Sequence, residues 1–304
     1  DKIKEEDLIS YLDMYLQGYD LGNFMSEECE EIYDEDGCLK EGVNLEFGTL
    51  DDNVGQYAIK SFTTATDALK NNQIDALVTA PINKYNIQSE DFKFPGHTDY
   101  LSQELDGNAL MFMVSEDIKV GLVTDHVPLH LVAQTITPDL IKQKVRTIHQ
   151  SLIQDFNVIR PRIALLGLNP HSGDNGIIGS EEQDFINNTV KELFDEEIII
   201  YGPYSADAFF GSEQYKKFDA VVACYHDQGL IPFKTLSFGN GVNFTAGLNF
   251  IRTSPDHGTA YDIAGKGIAD HTSFKNAVYT ALDIYKNRNE YLQSTANPLK
   301  ISNN

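Results

Sequence analysis

Three of the chain's eight histidines follow short apolar runs and sit in loops rich in Gly, Pro, Asn or Asp. His126 comes after Leu122-Val123, His171 after Leu165-Leu166 in Gly167-Leu168-Asn169-Pro170-His171-Ser172-Gly173, and His226 after Val222-Ala223 in Cys224-Tyr225-His226-Asp227-Gln228-Gly229. Ligands in open α/β sheets gather beyond the carboxyl ends of strands, so imidazoles repeated at such positions point to one rim. Neutral imidazoles converging there can hold Zn or another divalent ion and leave a position for substrate. Asp125 and Asp227, each beside a histidine, are suited to fix ring tautomers as hydrogen-bond acceptors. Loop histidines also cap strands or face water, and the long spacings match neither HExxH nor paired CxxC. Asp207, after the run Ile198-Ile199-Ile200, fits either a metal shell or a helix N-cap.

A second group is cationic and polar. Phe94-Pro95-Gly96-His97-Thr98-Asp99 sets an imidazole and a hydroxyl after a tight turn; Lys234 follows the His226 loop, Asn243 ends Gly239-Asn240-Gly241-Val242-Asn243, and Arg252 opens Arg252-Thr253-Ser254-Pro255-Asp256-His257. Together these residues can enclose a phosphate by charge-assisted hydrogen bonds. A lone Lys or Arg is ordinarily a solvated surface charge; placement among Gly-rich loops of an acidic chain favours the phosphate. No GxGxxG, GxxxxGK[ST] or GxSxG pattern occurs, so neither a Rossmann site, a P-loop nor a hydrolase elbow is supported.

The elements that must carry these loops alternate in the manner of βαβ units, which predicts an α/β fold with a largely parallel sheet. Strands are expected at 76–78, 109–114, 120–123, 163–166, 198–200 and 220–223, with helices over 56–69, 138–156, 181–194 and 276–291. Residues 8–16 read as an amphipathic helix ahead of an acidic stretch, and 295–304 as a frayed tail. The 304 residues suit two domains or one large α/β unit. Against 23 Lys and Arg stand 46 Asp and Glu, a formal charge of −23, which disfavours nucleic acid and anionic membrane as partners. No apolar run is long enough to span a bilayer and no signal peptide is visible. Cys29, Cys38 and Cys224 are too few for a disulfide scaffold and read as free thiols of a reducing cytoplasm, Cys224 as packing.

Thr79-Ala80-Pro81-Ile82-Asn83-Lys84, Pro95-Gly96-His97-Thr98-Asp99-Tyr100, Gly167-Leu168-Asn169-Pro170-His171-Ser172-Gly173, Tyr225-His226-Asp227-Gln228-Gly229 and Asp256-His257-Gly258-Thr259-Ala260 occur in this order. Over residues 44–292 the chain thereby resembles the PdxA family of 4-hydroxythreonine-4-phosphate dehydrogenases, which act in vitamin B6 synthesis. The resemblance implies a cytoplasmic homodimer of two α/β/α domains, similar in fold to isocitrate and isopropylmalate dehydrogenases. Residues 1–124 with 253–304 would form one domain and 125–252 the other, with the active site between them. It further implies NAD or NADP as cofactor, bound without a Rossmann fingerprint. A divalent metal (Zn, Co, Mg or Mn) would be held by His126, His171 and His226 across the dimer interface, and the phosphorylated substrate by His97, Thr98, Lys234, Asn243 and Arg252. The implied reaction oxidises 4-phosphooxy-L-threonine to 2-amino-3-oxo-4-phosphooxybutanoate, which decarboxylates to 3-amino-2-oxopropyl phosphate. Asp207, Asp227 or a metal-bound water would serve as general base.

Three alternatives stay open from the residues: a related dehydrogenase of threonate or erythronate 4-phosphate or a cyclic diol, a metal-dependent hydrolase, and an inactive binding protein. One departure is visible. The family's opening strand and Gly-Pro-rich turn are not found before Gly48, so a sheet strand and one loop of the rim are expected to be missing.

Overall fold

The computed structural model describes residues 48–50, 52–89, 92–94 and 96–297. The expected helix at 8–16, Cys29, Cys38, the region before Gly48 and most of the tail lie outside the described residues. Among the described residues, eight strands form a single sheet in the order β1-β8-β7-β2-β3-β6-β4-β5. The strands are β1 (Ala76–Val78), β2 (Gly107–Val114), β3 (Lys119–Leu122), β4 (Arg162–Leu166), β5 (Ile199–Tyr204), β6 (Ala220–Ala223), β7 (Val242–Leu248) and β8 (Ile251–Pro255). The main helices are α1 (Asp52–Lys70), α2 (His97–Glu104), α3 (Leu129–Thr135), α4 (Pro138–Gln154), α5 (Asn187–Asp195), α6 (Ala206–Gly211), α7 (His226–Ser237) and α8 (Thr272–Thr295). No described helix is long and apolar enough to cross a membrane.

The sheet is parallel on both flanks and antiparallel in the middle. β1 runs with β8, and β3, β6, β4 and β5 run together, whereas β8/β7, β7/β2 and β2/β3 are antiparallel. Strand direction therefore reverses at the β2–β3 hairpin. The loop after β1 leaves the opposite edge of the sheet from the loops carrying His126, His171 and His226. His126, His171 and His226 follow three mutually parallel strands, β3, β4 and β6, and so leave one edge together.

Two expected loops are strands. Asn243 lies in β7 and Arg252 in β8; the Gly239-Asn240-Gly241 turn, together with Arg252 and its polar neighbours, had masked the alternation of Val242, Phe244, Ala246 and Leu248. Likewise His97 begins α2 and His226 begins α7, where short loops were expected. The domain boundary placed after Arg252 falls within β8, and the sheet is continuous through it.

Alternation along the strands gives the sheet two unlike faces, because successive side chains point to opposite sides. Leu110, Phe112, Val242, Phe244, Ala246 and Ile251 pack on one side with Ile141, Val145, Ile148 and Leu152 of α4 and Ala277, Ala281 and Ile284 of α8. Helix α4 is specified locally: Thr137 caps it by accepting from the Leu140 amide at 3.2 Å, Pro138 pre-sets its first turn, and its apolar residues recur at helical spacing. On the other side, Met111, Met113, Val120, Leu122, Val221 and Ala223 pack with Leu230 and Phe233 of α7 and Phe209 of α6. A third cluster joins Ile59, Phe62 and Leu69 of α1 to Leu77, Ile87, Phe92 and Leu101.

Two substitutions check this account of α4. Thr137→Ala is expected to cost about 1 kcal/mol of unfolding free energy through the lost cap, and Ile148→Ala about 2–5 kcal/mol through the cavity it leaves, both read from urea titrations.

Candidate active site

The second face is not covered throughout. Where α7 ends and the segment after β1 folds back, a cavity of about 310 Å³ remains. All five residues expected to hold a phosphorylated ligand, His97, Thr98, Lys234, Asn243 and Arg252, line it, joined by His126 and His226. His226 opens α7 and Lys234 follows eight residues later, roughly 12 Å along a helix that rises about 1.5 Å per residue. One helix thus carries a member of each group along one cleft.

Helix α7 can lie this close because Gly229 has no side chain; a Cβ there would stand 2.7 Å from Leu122 Cδ2 and 2.9 Å from Val120 Cγ1. Gln228 ties the helix start to two strand ends, donating from Nε2 to the Gly167 carbonyl at 2.7 Å and accepting from the Cys224 amide at 2.7 Å. At the other end, Lys234 Nζ donates to the Asp256 carbonyl at 2.9 Å. Cys224 is buried as expected, and burial pushes its thiol up to about 12, which leaves it unreactive near neutrality.

Arg252, 2% exposed, is a buried guanidinium and not the surface charge that residue type alone suggests. Its hydrogen bonds go to hydroxyls: Nε and Nη2 donate to Thr79 Oγ1 at 3.0 and 2.6 Å, and Nη1 to Thr245 Oγ1 at 3.2 Å. Burial lowers its pKa to about 9, still charged at neutral pH. A buried cation without a carboxylate is costly, and one lining a cavity is a receptor for an anion. Asn243 adds a buried Oδ1 that lacks a hydrogen-bond partner, open to a ligand donor.

His97 is held neutral, lowered to about 3 by burial first and then by Arg252 and Lys84. Its ring meets Phe62 edge-on at 4.5 Å. His126 is also lowered, by burial and then by Lys84, and its ring centroid lies 6.0 Å from that of His226. Asp227 Oδ1 stands 2.8 Å from His226 Nδ1, and Asp125 Oδ1 accepts from the His126 amide at 2.9 Å. These two imidazoles suit a shared divalent ion, since bonds of about 2 Å to each ring would span such a gap.

His171 does not line the cavity. Among the described residues no three His, Cys, Asp or Glu side chains are grouped to hold a metal ion. His171 begins a left-handed run, His171, Ser172, Gly173, Asp174 and Asn175, all with φ between 42° and 79°. Such backbone costs roughly 1–2 kcal/mol for each residue bearing a Cβ, less for Asn and Asp. Buried Glu182 anchors the chain two residues ahead of the run, accepting from the Asn169 amide at 2.8 Å and from Asn169 Nδ2 at 2.9 Å, and it leaves no room for a Cβ at Gly173. Asp207 and Asp227, read as proton acceptors, also stand outside the cavity lining. Asp207 lies in the first turn of α6, where Ser205 Oγ donates to it at 2.6 Å, and this bond is the main cause of a carboxyl held below its ordinary range.

The cavity includes residues that no role was assigned from sequence: Lys84, Ser254 and Asp256, with Met111, Met113 and Leu230 as an apolar wall. Lys84 and Asp256 fell inside recognisable motifs, and their chain position was the available signal. The two methionines carried none, because an apolar strand residue reads as core.

Comparisons with known proteins bear on the family and the fold. A family model described as "Pyridoxal phosphate biosynthetic protein PdxA" matches residues 10–281. The chain belongs to the PdxA family. A relative from Bacteroides thetaiotaomicron named 4-hydroxythreonine-4-phosphate dehydrogenase is 49% identical over 265 residues, 86% of this chain and 73% of the relative. The crystal structure of 4-hydroxythreonine-4-phosphate dehydrogenase from Klebsiella pneumoniae superposes with a TM-score of 0.71 at 35% identity, covering 82% of this chain and 76% of that one. Isocitrate dehydrogenase from Methylococcus capsulatus, with a TM-score of 0.50 at 15% identity, covering 77% of this chain and 76% of that one, shares the α/β fold. This PdxA-family chain therefore has the expected α/β class, with a sheet that is parallel on its flanks.

His97 gives the PdxA-family fold an acid-sensitive point. Its folded pKa of about 3 lies below the ordinary 6.5, so its contribution is complete above about pH 6.5 and is lost as pH falls toward 3. The melting temperature should fall on acidification through this window, and His97→Gln should flatten part of that slope in thermal melts at graded pH. Glu182→Ala should lower the melting temperature by freeing the left-handed run.

Proposed function

We propose that the protein is an NAD- or NADP-dependent, divalent-metal-dependent 4-hydroxythreonine-4-phosphate dehydrogenase in the biosynthesis of pyridoxal 5'-phosphate. The observation that carries this reading is a buried guanidinium without a counter-ion among the described residues, in a cavity with His97, Thr98, Lys234 and Asn243. An acidic chain that buries such a charge has built a place for an anionic ligand. The names of its relatives supply the substrate, 4-phosphooxy-L-threonine.

Arg252, Lys234, Thr98 and neutral His97 bind the phosphoryl group, and Asn243 Oδ1 accepts from a substrate N–H or O–H. That remote grip orients the carbinol carbon along the cleft toward His126 and His226. His126, His226 and, from a second copy in a homodimer, His171 would hold the divalent ion. The apolar wall of Met111, Met113 and Leu230 fits a flat ring such as nicotinamide. Such an ion would supply polarisation of the substrate hydroxyl, and a nicotinamide would supply the hydride acceptor. Asp227 Oδ1 keeps the proton of His226 on Nδ1, leaving Nε2 as the donor atom of that ring. The hydroxyl proton would pass to a bound water, since Asp227 and Asp207 stand outside the cavity lining. The product, 2-amino-3-oxo-4-phosphooxybutanoate, is a β-keto acid and loses CO2 to give 3-amino-2-oxopropyl phosphate. We infer that the enzyme is cytoplasmic.

The test is NADH or NADPH absorbance with 4-phosphooxy-L-threonine, before and after chelation and zinc readdition. Metal-restored turnover is expected. Arg252→Ala should raise KM at least about tenfold with a smaller change in kcat, and His171→Ala should abolish metal-dependent turnover. Activity that survives chelation, or a His171→Ala enzyme with full activity, would overturn the metal reading. Turnover of erythronate 4-phosphate in preference would reassign the substrate.

A further inference from the structure

A guanidinium carries five N–H donors. Arg252 spends three of them on two neutral hydroxyls, Thr79 Oγ1 twice and Thr245 Oγ1 once. Counting the described residues, one hydrogen remains on each terminal nitrogen for the cavity that Arg252 lines. Both threonines are buried, 7% and 0% exposed, and come from the strands that flank β8. Thr79 follows β1 and is fixed by its own amide, which donates to the Thr253 carbonyl at 3.0 Å. Thr245 lies on β7, one step beyond the Phe244–Thr253 pair. Buried guanidinium groups are ordinarily paired with carboxylates, and a carboxylate at either position would reach the same donors.

We propose that Thr79 and Thr245 are positioning residues that hold the Arg252 fork with neutral acceptors, and so keep its full charge for a phosphoryl dianion. They would thereby set the preference for phosphorylated over unphosphorylated substrates. The inference deepens the reading of the cavity as a phosphoryl site and rests on it. The hydroxyls satisfy geometry without neutralising charge. The ligand then supplies the counter-ion, and the two remaining donors suit two oxygens of one phosphoryl group.

Thr79→Val, Thr79→Ser, Thr79→Asp and Thr245→Val test this by calorimetric binding of inorganic phosphate, and by KM and kcat for 4-phosphooxy-L-threonine. In Thr79→Val, phosphate binding should weaken and KM rise by roughly tenfold, with kcat within about twofold, and Thr79→Ser should restore both. Thr79→Asp separates positioning from mere structure: its new ion pair should leave the melting temperature unchanged or higher, while phosphate binding is lost. Wild-type phosphate binding in Thr79→Val or Thr79→Asp, or a Thr79→Ser protein as weak as Thr79→Val, would overturn the proposal. Should the Thr79 variants not fold, Thr245→Val, which gives up a single acceptor, should still weaken phosphate binding severalfold, and no change there would overturn it. Because phosphate binding needs no turnover, a wild-type chain that binds phosphate yet reduces no cofactor would count against the dehydrogenase reading alone.

Discussion

A positive charge is buried in the sheet without a negative one beside it among the described residues. Arg252 sits near the start of β8, between neighbours that offer it only hydroxyls. Much of the surrounding architecture serves that arrangement. The short parallel pair β1/β8 brings Thr79 alongside, the antiparallel pair β8/β7 brings Thr245, and α8 covers the opposite face. Moving β8 by one residue would turn Arg252 into the apolar layer against α8 and bring Ile251 into the cavity, since strand side chains alternate.

The unequal covering of the two faces follows from the same constraint. One face is closed by α4 and α8 into a continuous apolar core. The other is closed by α7 over β3 and β6 but left open over β8 and β7, where the inward residues are Asn243, Thr245, Arg252 and Ser254. Apolar side chains there would have drawn a helix down upon them. Polar ones keep a cavity open and give its far wall to Lys84, His97 and Thr98 of the segment after β1.

Much of this was legible in the residues. Six strands were readable from apolar runs, and the phosphate group was assembled from four separate motifs that the fold brings to one cavity. What escaped had physical reasons. β7 and β8 carry polar and charged side chains on their cavity face, so their alternation resembled a Gly-rich loop. Strand direction is invisible in composition, and the reversal at the β2–β3 hairpin puts the Thr79 loop and the histidine loops at opposite edges. The helical state of His226 was hidden by Gly229 and Pro232, two residues that argue against a helix, although Gly229 is needed for close contact with β3. The third histidine, His171, reads only as lying in a Gly- and Asn-rich loop past a strand end, and the handedness of that loop is a backbone property that no side-chain spacing reports.

That handedness bears on how the segment can change over time. At five successive positions the main chain adopts a conformation that glycine enters freely, that Asn and Asp tolerate, and that β-branched residues resist. The run from His171 to Asn175 is therefore filtered twice, once by whatever its side chains do and once by steric permission alone. Asp174 and Asn175 could stay unchanged across long descent without ever meeting a ligand. Invariance in this stretch would measure the torsion of the chain, and it should not be counted as a vote for chemistry.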